Sequence, residues 1–395
     1  MWGTRVGAVL AGVAMAAGLA AAPASAEPDR EDVRKALAEL TATGMAGVQV
    51  RVQEGRDGWT EVAGVERLGD DDPVPANGRF RVGSITKTFM ATVVLQLVDE
   101  GRLTLDDSVD QHLPEYGLDP RITVRMLLNH SSGLFNYTGE ANPDGTVEPG
   151  IPLDGQEFVD LRFHTYTPED LVAVSLAKPA RFEPGARFSY SNTNYVLVGE
   201  LVERLTGTPY AFQVNRRIVW PLGLHETVLP GTRSNIAGPH AHGYLPYTHD
   251  GEEKMVDITR LNPSWGGAAG EIISTTRDLN RFTAALLGGR LLPPDLLAEM
   301  RAAGADPAYG LGLQILDLGP ECGGVYEGHT GGIHGYVSYL FSNGDTRFAM
   351  SMTTGTVDPT SDPEAAEKIQ AAITKVVLAS VCDTMPATAP RVAVG

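Results

Sequence analysis

The stretch SITKTFMATVVLQLVDEG, Ser84 to Gly101, limits the possible folds more than any other part of the chain. Its 18 residues are too many for a strand, and its centre is apolar almost all round, so as a helix it has no face to offer water. Such a helix has to be enclosed by other elements, which requires a large domain. Gly101 suits the left-handed position that ends a helix.

The flanking segments indicate what encloses it. Residues Asp29 to Thr43 read as a helix, after which AGVQVRVQE and WTEVAGVE alternate apolar and polar residues as paired strands do. Strand patterns return late, where GYVSYLFS and TRFAMSMTT flank the hairpin signal Asn343-Gly344-Asp345. A last helix runs from Glu364 to Ser380. Between Leu103 and about Pro263 the pattern is short helices and long polar loops. The helix TPEDLVAVSLAKP opens at Thr167-Pro168 and closes at Pro179, and NYVLVGELVERLTG ends at Gly207. Thr138 to Phe163, rich in glycine, proline and acids, reads as a long surface loop that could serve as a lid. The expected fold is α/β of the α+β kind: an antiparallel sheet built from both ends of the chain, flanked by helices, with a helical region inserted. The sheet region is placed at about 27–105 and 264–382 and the helical insertion at about 106–263, all within one domain, 27–395.

Residues 1–26 carry one basic residue, Arg5, an apolar run of small residues and Ala24-Ser25-Ala26, the pattern of a cleaved secretory leader. The expected product is exported and free of the membrane once the leader is removed. Without the leader, 30 basic residues face 49 acidic ones, a net charge near −19 that argues against nucleic acid as a partner. Two cysteines, Cys322 and Cys382, remain. In an oxidising compartment they either bridge, closing a loop of about 60 residues worth roughly 4 kcal/mol, or stay as two buried thiols.

Several short motifs carry possible chemistry. Ser84-Ile85-Thr86-Lys87 puts a hydroxyl and an ammonium on one face at a helix start, where a partly desolvated lysine can take the serine proton and backbone N–H groups can meet an oxyanion. A second S-x-x-K, Ser175 to Lys178, lies in the last turns of a helix and reads as chance. Tyr190-Ser191-Asn192 lies just before a helix. Its phenol can pass protons if a nearby cation lowers its pKa, and its amide can orient a lysine and a substrate carbonyl. His329-Thr330-Gly331 reads as a strand edge, with His329 placed to hold the Tyr190 proton, Thr330 to bond a substrate anion, and glycines at 331 and 332 allowing close backbone approach. His240 and His242, with His249 or His334, offer a competing metal-hydrolase reading, but no carboxylate stands at a recognisable ligand spacing. No metal and no cofactor are expected.

In this order, S-x-x-K, Y-x-N and H-T-G resemble the penicillin-recognising serine enzymes: D-alanyl-D-alanine peptidases, class C β-lactamases and related esterases. The likeness extends through VGSITKTFMATVVLQLVDEGRLTLDDSV, LLNHSSGLFNYT, YSNTNYVLVGELVERLTG, SWGGAAGEIISTTRDL and YGLGL. It is strongest to secreted D-alanyl-D-alanine carboxypeptidases, which share the histidine in the third motif and a similarly placed cysteine pair. The resemblance implies Ser84 as acylated nucleophile, Lys87 as its proton partner and Tyr190 as proton shuttle. It implies Asn192 as substrate orienter, His329 and Thr330 as the rest of the network, and the N–H groups of Ser84 and Gly332 as the oxyanion hole. Trp265 matches an aromatic lining the cleft. The implied ligands are peptides or other small acyl donors, cell-wall peptides among them, with β-lactams as acylating compounds, and the chain is expected to act as a monomer.

Two positions depart from that pattern. Carboxypeptidases of this type grip the terminal carboxylate with an arginine after YGLGL and a hydroxyl after H-T-G, where this chain has Gln314 and Gly332. Arg281 and Arg347 are the candidate replacements. The sequence therefore supports acyl transfer by a β-lactamase, esterase, D-amino-acid amidase or transacylase as well as by a carboxypeptidase. A penicillin sensor that deacylates slowly is a further alternative.

Overall fold

A computed structural model describes residues 30–141, 146–357 and 363–382, so the leader lies outside the described residues. Asp32 onward forms one compact unit. Helix α1 spans Glu31–Thr41, and the alternating segments form strands β1, Gly47–Glu54, and β2, Asp57–Gly64. Late in the chain come β3, Gln314–Asp317, β4, Val325–Ile333, β5, Tyr336–Ser342, and β6, Thr346–Thr353. Together they make one antiparallel sheet in the order β2-β1-β6-β5-β4-β3. The two ends of the chain thus meet in the middle of the sheet, Val48 opposite Met352 and Val52 opposite Phe348. The β5–β6 turn is closed by Asn343, whose side-chain oxygen accepts from the N–H groups of Asp345 and Thr346.

Period-two alternation divides the sheet between two cores. Val48, Val50 and Val52 pack with Leu37 and Leu40 of α1 and with Ile373, Val376 and Val377 of the last helix, Pro363–Val381. The opposite face, through Leu340 and Ala349, joins a larger core with Leu279, Phe282 and Ala285 of the helix Thr276–Leu287. The buried helix, α2, is Thr86–Asp99, and residues 86–95 and 97 are all buried. Three lengths differ from the sequence reading. Ser84 stands outside the α-helix, on a 3₁₀ turn over Gly83–Ile85. Although α2 belongs to the segment assigned to the sheet region, it packs in the helical layer against Val196, Leu197 and Leu201 of Asn192–Thr206. The segment read as a helical insertion also holds a hairpin, Tyr244–His249 with Glu252–Asp257. Cys322 and Cys382 are bonded to each other, tying the turn between β3 and β4 to the end of the last helix.

Candidate active site

β4 pairs with β3 only from Val325 to Gly328, so His329 to Ile333 continue past the end of that ladder. The 3₁₀ turn carrying Ser84 fits against that stretch because the facing residues lack side chains. A Cβ on Gly331 would lie 2.0 Å from the Val82 carbonyl oxygen, and one on Gly83 would lie 2.7 Å from Gly332 N. Gly83 also has φ 54°, the left-handed region, so the turn needs glycine twice over. Ser338 of β5 donates to Val82 O at 2.9 Å and fixes the approach. Ser84 is half-buried and Gly332 is exposed, leaving both facing the opening.

Lys87 is fully buried one turn beyond Ser84. Its Nζ lies 3.0 Å from Ser84 Oγ, 2.8 Å from Asn192 Oδ1 and 2.8 Å from Ala269 O. The amide and carbonyl oxygens can only accept, so they take two N–H bonds and leave the third position of the nitrogen for Ser84. Burial drives the Lys87 pKa well below that of a free lysine. A neutral amine then has its lone pair directed at the serine hydroxyl, the arrangement a general base needs. Asn192 is held from its other side, its Nδ2 donating to Thr138 Oγ1 and its backbone N–H to Asn136 Oδ1.

The Tyr190 ring lies 4.9 Å from Lys87 Nζ, and Ser84 is the polar group that acts on its phenol. In the sequence reading the phenol can pass protons if a nearby cation lowers its pKa; burial instead pushes it up, with Ser84 acting in the opposite sense. Tyr190 is therefore a protonated donor at neutral pH. The expected contact between His329 and Tyr190 is also absent: their ring centres are 6.5 Å apart, and His329 Nε2 meets the Tyr309 hydroxyl at 2.8 Å. Thr330 is buried, and its backbone N–H donates to Gln314 Oε1 at 2.9 Å. Gln314, in the place of the arginine, is thus occupied with the strand edge. Arg281 bonds Gly223 O and Arg347 bonds Gly55 O, which engages both candidate replacements elsewhere. Trp265 ends a short turn, Pro263–Trp265, its carbonyl accepting from Tyr137 and its ring edge-on to His334 and Phe158. His334 stacks on Phe158 and donates to Leu153 O, joining to the sheet a segment that reads as loop in the sequence but contains the helix Gly155–Leu161.

The remaining motifs have structural partners. Ser175 donates to Phe135 O and Lys178 pairs with Glu148. His242 sits between Asp257 and Arg67. Sequence reasoning gave no role to Ala269, Thr138, His130 or Tyr309. All four lie in the stretches of family likeness, Ala269 in SWGGAAGEIISTTRDL, Thr138 and His130 in LLNHSSGLFNYT and Tyr309 in YGLGL, and that likeness was the available signal.

The family described as Beta-lactamase matches residues 33–374. Among solved structures, a D-stereospecific amidohydrolase from Streptomyces sp. is 40% identical with a TM-score of 0.76, covering 90% of this chain and 100% of that one. A D-amino acid amidase from Ochrobactrum anthropi SV3, complexed with L-phenylalanine amide, is 26% identical with a TM-score of 0.70, covering 87% and 99%. Penicillin-binding protein 4 of Amycolatopsis lactamdurans is 28% identical over 307 residues, 71% of this chain and 74% of that protein. Of three other curated relatives the chain spans 53 to 62% of the length.

Proposed function

This chain belongs to the β-lactamase family of serine hydrolases, and we propose that it is an exported enzyme that cleaves amides of D-amino acids through an acyl-enzyme on Ser84. The observation carrying this reading is the pairing of an intact Ser84–Lys87–Asn192 contact set with an occupied Gln314 and a glycine at 332. The machinery for acyl transfer is complete, while the two handles for a terminal carboxylate are missing. The D-stereospecific amidohydrolase and the D-amino acid amidase support the substrate class.

In the proposed reaction Lys87 takes the Ser84 proton as Oγ bonds to the carbonyl carbon. The oxyanion is held by the N–H groups of Ser84 and Gly332. The C–N bond breaks as the leaving nitrogen takes the Tyr190 proton, which the Lys87 ammonium replaces. Water then attacks the ester, its proton passes to Lys87, and the released Oγ recovers a proton. In this reading Thr330 would bond a substrate anion and Trp265 would line the cleft. A second reading, a D-alanyl-D-alanine carboxypeptidase, rests on the third-motif histidine and on relatives such as penicillin-binding protein 4.

Intact-mass analysis and turnover assays with a D-amino-acid amide, its L-isomer, a peptide ending in D-Ala-D-Ala and penicillin separate the two. Faster turnover of the D-amide than of the peptide is expected, with the acyl group on Ser84; the reverse order would favour the carboxypeptidase. Ser84→Ala should lower turnover by roughly 10⁴-fold or more at unchanged melting temperature. Retained turnover in that variant would remove Ser84 from the mechanism.

A further inference from the structure

His329 is 1% exposed, and both of its ring nitrogens are engaged. Nδ1 faces the Thr330 carbonyl oxygen at 2.5 Å, which can only accept, so Nδ1 carries a proton. His130, also buried, is the reverse. Its Nδ1 receives the Ser191 N–H at 3.2 Å and faces the Asn194 amide nitrogen at 3.1 Å, while the Asn194 oxygen accepts from Ser132. Two donors on one nitrogen leave it bare, so the His130 proton is on Nε2, 3.2 Å from the Tyr309 hydroxyl. Tyr309 thus receives a bond from His130, and its own proton can go to His329 Nε2 at 2.8 Å.

A charged His329 would break this order. It would need protons on both nitrogens, and Tyr309 would have to turn its hydroxyl to Tyr195, whose proton is given to Leu128 O. The groups around His329 oppose the charge. A proton taken up by Lys87 during the reaction would repel a charge on His329; Tyr190, Tyr195 and Tyr309 are neutral phenols with raised pKa values, and His130 is itself buried and held neutral. Gln314 beside Thr330 is uncharged, and Glu327, two residues along β4, is paired with Arg301. Burial carries the His329 pKa down to about 3.

We propose that His130 and Tyr309 are positioning residues, a one-way hydrogen-bond chain that holds His329 as a neutral Nδ1–H imidazole, so that, with Gln314 and Gly332 in place of the two carboxylate handles, this motif adds no compensating cation to the cleft and the enzyme takes acyl donors lacking a carboxylate on the leaving side. This rests on the acyl-transfer reading above and narrows its substrate class. A fixed neutral ring also keeps Thr330 at the strand edge, since its carbonyl is tied to His329 and its N–H to Gln314.

The test reads the protons directly. In the full protein labelled with ¹⁵N-histidine, two-bond ¹H–¹⁵N spectra at pH 7 should show His329 as the Nδ1–H form and His130 as the Nε2–H form, assigned with His329→Gln and His130→Asn. Neutron diffraction from the perdeuterated wild type gives the same protons if either variant fails to fold. In Tyr309→Phe the bare Nε2 loses the donor that favours the neutral ring, so His329 should titrate at higher pH. The same variant should turn over a D-amino-acid amide roughly 10- to 100-fold more slowly. It should also narrow the ratio of amide to carboxylate-bearing substrate at pH 5. A proton on His329 Nε2 in the wild type overturns the proposal, as does a Tyr309→Phe enzyme with unchanged titration and selectivity. The spectra need no turnover: the chain found in a protein inactive on amides would refute the amidase reading alone.

Discussion

Lys87 and His329 are both buried, and burial disfavours the protonated form of each. For His329 the sign of the effect on stability is fixed by the direction of its shift. Above pH 6.5 the ring is neutral in both folded and unfolded chains, and its contribution is fully present. Between 6.5 and about 3 the unfolded chain takes up a proton that the folded one refuses, so stability falls with pH by up to about 1.4 kcal/mol per unit from this residue. Denaturant unfolding of wild type and His329→Gln from pH 7 to 4 should diverge in slope by about that amount; parallel curves would mean the ring is protonated in the fold. Gln314→Arg tests the missing carboxylate handle. The arginine restores a charged partner, but it cannot accept the Thr330 N–H as Gln314 does, so a stability loss of about 1–3 kcal/mol is expected with a rise of tenfold or so in carboxypeptidase over amidase activity. An unchanged ratio would show that a carboxylate is not read at this position.

At the scale of elements, the meeting of β4 with the 3₁₀ turn of Ser84 depends on a glycine that neighbours can barely accommodate. In Gly331→Ala the new methyl group would overlap Val82 O and lie 2.6 Å from Ser338 Oγ, forcing the edge away from the turn. Overpacking of this kind costs about 1–3 kcal/mol, and the shift should lower kcat in the folded fraction by roughly 100-fold. Thermal melts with active-site titration separate the two effects, and full activity would show that the edge does not position Ser84. Local patterns in the sequence revealed much of this arrangement. The strands β1, β2, β5 and β6 were legible because period-two alternation and the Asn343-Gly344 turn act over a few residues. Helix α2 was legible for its apolar circumference, but not the 3₁₀ turn ahead of it, which is set by packing against β4. The roles of His130 and Tyr309 were hidden for a related reason: their bond joins residues 179 apart, and neither residue type announces a partner at that distance. The fate of Gln314 was hidden likewise, since a glutamine in place of an arginine says what is missing and not what its own oxygen accepts.

Across the whole molecule, the sheet separates a core that shapes the site from one that does not. His329 and Leu340 are paired neighbours on β4 and β5, and Leu340 belongs to the larger core that also encloses α2. Cys322 lies in the smaller core, with Val48, Phe348 and Ile373, and Cys382 packs against it from the last helix. The disulfide between them spans 60 residues and encloses β4, β5 and β6, so it restrains the unfolded chain over the strands that build the sheet centre. Replacing both cysteines by alanine should therefore cost about 2–4 kcal/mol in denaturant unfolding. Because the bridge is on the face away from Lys87, kcat/KM of the folded protein at 25 °C should stay within about twofold of wild type. A large loss of kcat/KM at temperatures where the variant remains folded would show that the last helix is coupled through the sheet to the strand edge at His329. The two cores would then act as one cooperative unit in catalysis as well as in folding.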